Sequence, residues 1–516
     1  MKLKRPQLVP NSSVARMLQT ADQAWERRDF QQCFEQMERA SRLDPANARI
    51  LLILGQRYGL RYDYAAAERC FDKALRVAIR KTDALAAACR LCANFVNPKL
   101  PERYFQKALE QNNATPETFA TVAEFYEGVR RVEEASKLLD RALQLDANCA
   151  LARLTRARLN RNAGHLEEAE QILRPILATA EPQVRIRGYY ELGAILDRQG
   201  RYDEAMAAFL EAKAILLAKN QPLLDQARTH RLLMKTLWAD YTAEAMQRWF
   251  DLGPELQPLR RLAFLGGHPR SGTTLLEQVL DSHPDVVSAE ETHVFVDDVY
   301  MPLRSRLPGS PPMFAILEAA QTDALQQCRA GYFHSMELCL SQPIGDRLLV
   351  DKNPPITLYL PALIRAFPEI KILFALRDPR DVVLSCFMQS YLPVTLPTVS
   401  YLSLEETTEG YTYLCEEWGL FSSMMKNAWL KVRYEDMVAD LETVSRRVLD
   451  FLGVSWDPSV LRFDEHARGK TVRTPTYADV TQPVYRRAQG RWRNYQKYLE
   501  PCLPKLEPFV KALGYE

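Results

Sequence analysis

The residues best placed for chemistry are Pro269-Arg270-Ser271-Gly272-Thr273-Thr274. They follow an apolar run, Leu262 to Leu265, and a Gly266-Gly267 pair, and Leu275 to Leu280 after them have the composition of a helix. A strand that breaks into a glycine loop and then a helix aims several backbone N–H groups and a helix N-terminus at one point. That arrangement suits a phosphate or sulfate group. From Gly267 the spacing also fits a phosphate loop, with its second glycine at Gly272. Thr273 stands where such a loop carries the lysine that reaches the β- and γ-phosphates. This argues against a triphosphate hydrolase or nucleotide kinase and for an anion-binding loop that takes another nucleotide.

Three further polar clusters close apolar runs in the same half of the chain. Runs at 262–266, 347–351, 370–376 and 428–433 end respectively in PRSGTT, DKNP, LRDPRD and RYED, with helical patterns between them. The alternation predicts a parallel sheet with helices on both faces, from Leu259 onward. Ligands of such sheets sit at the carboxyl ends of the strands, so four polar strand ends facing one crevice make a site.

The N-terminal half is built differently. Residues 13 to 215 repeat with a period of 34: Ala40, Ala74, Ala108 and Ala142 recur at that step, Ile176 takes the next slot and Ala212 follows after 36. One good copy has Gly55, Tyr58, Tyr64, Ala67, Phe71 and Ala74; another has Gly193, Gly200, Tyr202, Ala205, Phe209 and Ala212. This resembles the tetratricopeptide repeat, a helix–turn–helix unit in about six copies, with the one ending at Ala108 degenerate at Pro101. Such arrays stack into an all-α solenoid whose concave face binds proteins or peptides. Bracing or dimerising the next domain is the other use open to it. Residues 216 to 258, with helical patterns at Ala227–Trp238 and Ala243–Trp249, read as a cap and linker, and 259 to 516 as the α/β domain.

Bulk composition narrows the classes. With 67 Lys+Arg against 65 Asp+Glu the net charge is only +2, which gives no global pull toward nucleic acid or acidic lipid. The basic start (Lys2, Lys4, Arg5) lacks the apolar core of a signal peptide, and no window reaches the roughly 20 apolar residues of a membrane span. Ten scattered cysteines suggest no disulfide framework, and the seven histidines show no ligand spacing. Cys89 and Cys92 form a lone C-x-x-C inside a helical pattern, so no metal site is expected. These features predict a cytoplasmic protein.

The loop Arg270 to Thr274, together with Leu376-Arg377-Asp378-Pro379-Arg380 and Ser385, resembles the two cofactor motifs of sulfotransferases, which use 3′-phosphoadenosine-5′-phosphosulfate (PAPS). Within them PRSGTTLLEQVLDSHPDVVSAEET, DKNP, VRYED and DFLG are most similar to the tyrosylprotein sulfotransferases, over roughly residues 260 to 495. The fold this implies is a tetratricopeptide solenoid followed by a P-loop-like parallel-sheet sulfotransferase domain. The resemblance implies that Arg270, Ser271, Gly272, Thr273 and Thr274 wrap the 5′-phosphosulfate, and that Arg377 and Ser385 hold the 3′-phosphate. Glu291 is implied as the general base and Lys352 as the cation at the leaving oxygen. The resemblance also implies that Tyr434, in Arg433-Tyr434-Glu435, contacts the nucleotide, and that Thr476 to Tyr485 with Arg491 form a late cofactor-covering loop, where Thr476 matches a serine that assists the transition state. Glu290, beside Glu291, would point elsewhere on an extended segment, so the choice between them rests on family register. Arg380 has two readings, a phosphate contact or a helix-start pair with Asp378 or Asp381.

Several positions depart from the family pattern. His293 and Asp297 stand where the tyrosylprotein enzymes carry arginines that grip acidic peptides, and Gln389 replaces an arginine near the 3′-phosphate. Ser288 and Val350 occupy positions that form a disulfide in the secretory-pathway enzymes. The expected activity is therefore sulfuryl transfer to an acceptor hydroxyl of protein tyrosine, sugar or small alcohol, without a metal, with the repeats recruiting acceptor or partner. The alternative is a non-catalytic repeat scaffold with a degenerate sulfotransferase domain.

Overall fold

The computed structural model describes residues 13–93, 95–425, 428–468 and 488–515. Two compact units emerge, one formed by residues 1–125 with 293–343, the other by 126–292 with 344–516.

In the first unit six helices follow one another: Ser13–Glu26, Phe30–Leu43, Ala48–Leu60, Tyr64–Val77, Lys81–Cys92 and Lys99–Leu109. Asp29, Asn47 and Asp63 start three of them, each side chain accepting the N–H three residues on. The repeat residues do what their size allows. A Cβ on Gly55 would lie 2.8 Å from the Phe71 ring, so only glycine lets these two helices approach so closely. Ala40 and Ala74 are fully buried. Pro101 falls in the first turn of its helix, where the missing N–H costs nothing, so the degenerate repeat still folds as a helix. The inserted segment 293–343 contains the helix Thr322–Leu340. Asp297 and Asp298 in it bind repeat arginines: Arg28 Nε lies 3.0 Å from Asp297 Oδ1 and Arg61 Nη2 2.6 Å from Asp298 Oδ1.

The second unit opens with the helices Val132–Leu145, Ala150–Ala163, Leu166–Leu177, Pro182–Arg198 and Tyr202–Leu237. The last runs for 36 residues and passes positions 215 and 216 without a break. Gly193 packs on Phe209 as Gly55 does on Phe71, its built Cβ 2.6 Å from the ring. Five parallel strands follow: β1 (Leu262–Gly267), β2 (Val286–Glu290), β3 (Leu348–Lys352), β4 (Lys371–Leu376) and β5 (Trp429–Arg433), in the order β2-β3-β1-β4-β5. β2 is an addition to the four runs read from the sequence. It is a short edge strand whose Ser288 and Glu290 dilute the apolar signal.

Two of the apolar clusters among the described residues show how this unit is held together. On one side Ala263, Leu265, Val350 and Leu373 of the sheet pack with Leu276, Leu280 and Val448. The other joins Leu173, Ile195 and Phe209 of the repeat helices to Val382, Phe387, Tyr411, Trp492 and Leu506. The last repeats and the sheet domain therefore share one apolar interior. β1 lies between β3 and β4, the point where the strand order reverses and where ligands of such sheets bind beyond the carboxyl ends.

Candidate active site

The loop after β1 is shaped by backbone conformations that few residues tolerate. Gly267 has φ +124°, and a Cβ there would sit 2.5 Å from the Ala375 carbonyl of β4. Arg270 (φ +73°) and Gly272 (φ +92°) also lie in the left-handed region, Gly272 directly before the helix Thr273–Asp281. Ser271, Thr273 and Thr274 are buried at this helix start. Burial pulls His268 down to about 4, so the imidazole is neutral, with Nδ1 2.9 Å from the Pro269 carbonyl.

The second strand end meets the first. Arg270 Nε donates to Ser385 Oγ at 3.1 Å, and Arg377 Nη1 donates to the Arg270 carbonyl at 3.4 Å. The Arg377 guanidinium lies 5.2 Å from the Tyr434 ring centre, and that ring packs on Gly272, whose built Cβ would be 2.8 Å away. Three strand ends thus close around one loop. Arg377 also donates to the Ala488 carbonyl, yet its buried Nε has no hydrogen-bond partner among the described residues. Arg380 is the helix-start pair: its Nη2 lies 2.8 Å from Asp378 Oδ2 and its Nε 2.9 Å from Oδ1.

The ends of β2 and β3 bring a lysine and carboxylates together. Lys352 is fully buried, and its Nζ is 2.9 Å from Glu291 Oε1, 3.3 Å from Glu290 Oε1 and 3.4 Å from Glu277 Oε2. Burial opposes the charge, but the three carboxylates overcome it and hold the lysine well above its usual range. The expectation that Glu290 points away is corrected here. Glu291 takes φ +47°, which breaks the alternation of an extended strand and brings both carboxylates to one ammonium. Its N–H donates to the Lys352 carbonyl at 2.8 Å, and Asn353 Nδ2 donates to the Thr292 carbonyl at 2.6 Å, so the end of β3 fixes this bend. A non-glycine residue held at positive φ stores strain of the kind that clusters at functional sites.

One anticipated residue pairs elsewhere, and another is not described. Arg491 turns to the repeat helix, Nη2 2.6 Å from Asp197 Oδ2. Thr476, with the covering loop 476–485, falls outside the described residues. One residue escaped notice from the sequence: Glu277, on the helix after the glycine loop, with only 2% of its surface exposed. Burial, with Glu290 and Asp281 nearby, pushes its carboxyl up to about 8 against the pull of Lys352. Two carboxylates one turn apart (Glu277, Asp281) on an otherwise uncharged helix were the available signal.

A family model for the sulfotransferase family matches residues 263–458, and one for the tetratricopeptide repeat matches 186–215. The chain is 30% identical over 262 residues to protein-tyrosine sulfotransferase 1 of Homo sapiens, a match covering 49% of this chain and 70% of that one. The chain belongs to the sulfotransferase family. The protein-tyrosine sulfotransferase of Drosophila melanogaster is 28% identical over 287 residues, 54% of this chain, and this sulfotransferase spans about half (55%) of that relative's length. Among solved structures, the sulfotransferase domain of the Synechococcus PCC 7002 olefin synthase is 21% identical with a TM-score of 0.36, over 49% of this chain and 95% of that one.

Proposed function

We propose that this sulfotransferase moves a sulfuryl group from PAPS to an acceptor hydroxyl, with a protein tyrosine as the acceptor supported by the names of its relatives. The observation that carries this reading is the convergence of four strand ends: Arg270, Gly272, Arg377 and Tyr434 in one contact chain, with Lys352 and Glu291 beside them. The residues present fit a doubly phosphorylated nucleotide. A left-handed Gly272 opens a helix toward the loop, hydroxyls line its start, and Arg377 keeps a buried N–H that has no partner among the described residues and can face an anion.

Each side chain then has a task. Arg377 and Ser385 hold the 3′-phosphate, while the N–H groups and hydroxyls of residues 271 to 274 hold the 5′ side. Glu291, more exposed than its neighbour, with 43% of its side chain accessible against 17% for Glu290, takes the proton from the acceptor oxygen as that oxygen attacks sulfur. Lys352 turns its ammonium to the oxygen that leaves with the nucleotide, where one such donor is worth roughly 3 kcal/mol. PAPS brings the activated sulfuryl group. The repeats recruit or orient the acceptor through a protein or peptide surface.

The test is thermal denaturation with 3′-phosphoadenosine-5′-phosphate (PAP) and with ATP. PAP at tenfold its Kd should stabilise the protein by about 1.4 kcal/mol while ATP does not. Equal stabilisation by both would overturn the cofactor assignment.

A further inference from the structure

Lys352 has more carboxylates than it can neutralise. Glu277, Glu290 and Glu291 all reach its one ammonium, so the group would carry a net charge of −2 were all three ionised, beside a site meant for an anionic nucleotide. One proton must reside in the cluster, and Glu277 is the place for it. Its carboxyl is the most buried of the three, one oxygen (Oε1) accepts the Ser288 hydroxyl at 3.0 Å, and the other (Oε2) lies 3.4 Å from Lys352 Nζ with no hydrogen-bond partner among the described residues. Withdrawing charge from a buried carboxyl costs far less than leaving it uncompensated.

We propose that Glu277 is a positioning residue for Lys352. As the neutral acid it leaves the ammonium free to turn to the nucleotide, and as the carboxylate it holds that ammonium back inside the cluster. This role rests on the cofactor reading above. The groups that face Glu277 are Lys352 from β3, Glu290 and Glu291 from the end of β2, and Asp281 on its own helix. Asp281 in turn accepts the Ser288 N–H at 2.8 Å and meets His466 of the helix Phe463–Arg468, also at 2.8 Å. The carboxyl, raised to about 8, carries its proton at neutral pH and loses it in mild alkali.

Calorimetric titration of PAP into wild-type protein, Glu277→Gln and Ser288→Ala between about pH 6.5 and 9.5 tests this. In the wild type the Kd is expected to rise above about pH 8, toward the limit of about tenfold per pH unit if only the neutral acid admits the anion. Glu277→Gln, a permanent mimic of the neutral acid, should lose that break. Ser288→Ala, without the hydroxyl that favours the carboxylate, should move it to higher pH, and this second variant keeps the test open if the first does not fold. Parallel Kd curves for all three proteins, or a folded Glu277→Gln that fails to bind PAP at neutral pH, would overturn the role. Failure of the wild type to bind PAP at any pH would instead overturn the cofactor reading and the role with it.

Discussion

Lys352 grips Glu291 at two points: its backbone carbonyl accepts the Glu291 N–H at 2.8 Å, and its ammonium donates to Glu291 Oε1 at 2.9 Å. The backbone bond holds the strained φ of +47°, and the side-chain bond aims the carboxylate. The two side chains proposed as cation and base therefore come as a preassembled pair whose partners lie 61 residues apart in the chain. In the proposed reaction Lys352 exchanges this partner for the leaving oxygen.

Glu291→Gln keeps the size and the backbone bond but removes the base. Sulfuryl transfer from radiolabelled PAPS, measured in single turnovers, should fall by about 10²- to 10⁴-fold, while stabilisation by PAP persists. Near-wild-type transfer would move the base to Glu290, which touches the same ammonium.

Gly272 is where a single methyl group should reach both folding and binding. Alanine there must adopt φ +92°, and its Cβ would press on Tyr434, the ring under Arg377. Gly272→Ala is expected to cost about 1–2 kcal/mol of stability and to weaken PAP binding at least tenfold. Gly128→Ala is the control, since its Cβ meets open space at a helix end. It should leave PAP binding alone and change stability by less than about 1 kcal/mol, as measured by urea denaturation.

Lys213 carries a pH dependence of the opposite sign to a raised carboxyl. It lies on the helix Tyr202–Leu237, only 3% exposed, donating to the Tyr401 carbonyl at 2.6 Å between the Phe387 and Tyr190 rings. Burial lowers it to about 7 from an ordinary value near 10.5. Between those values the unfolded chain binds the extra proton, so stability rises with pH across that window, by up to about 1.4 kcal/mol per unit. Below about pH 7 both states are protonated and the slope vanishes. Denaturation at pH 7 and pH 9 should show this gain in wild type and its absence in Lys213→Met, whose lost hydrogen bond costs about 1–3 kcal/mol at both. Equal slopes in the two proteins would mean that Lys213 stays charged in the fold.

What the chain reveals of this site depends on distance along it. The glycine loop, the strand ends and the 34-residue period are local patterns, and each becomes the expected element because nothing distant opposes it. Arg377 and Tyr434 sit just beyond strand ends that their own apolar runs announce, and Ser385 lies on the helix Pro379–Met388 that follows one, while the roles expected of all three come from the resemblance. Glu290 was misjudged because its direction depends on the φ of Glu291, which a carbonyl on β3 imposes from far along the chain. Glu277 was missed because a carboxylate on a helix reads as solvent-facing until the sheet beside it is known to carry a buried lysine. Arg491 was placed by motif, yet its nearest anion comes from a helix in the repeat half of the sequence.

That last pairing can be read out in two independent ways. Asp197 accepts Arg491 in a two-pronged contact, Nη2 to Oδ2 at 2.6 Å and Nε to Oδ1 at 3.2 Å, and also the Tyr495 hydroxyl at 2.7 Å. The backbone N–H groups on either side of Arg491, from Gly490 and Trp492, donate to Asp381, which lies 3.7 Å from Arg377. A repeat carboxylate thus connects, through two short steps, to the arginine assigned to the 3′-phosphate. Asp197→Ala should lower stability by about 2–3 kcal/mol, because it leaves a largely buried guanidinium and a phenol without their acceptor. In a double-mutant cycle with Arg491→Ala, a coupling of about 1–2 kcal/mol is expected in stability. The PAP titration then separates a brace from a tether. Weaker PAP binding by Asp197→Ala, absent when Arg491 is already alanine, shows that the repeat helix positions a cofactor-binding arginine. A variant that melts lower yet binds PAP with the wild-type Kd reduces the pair to structural support.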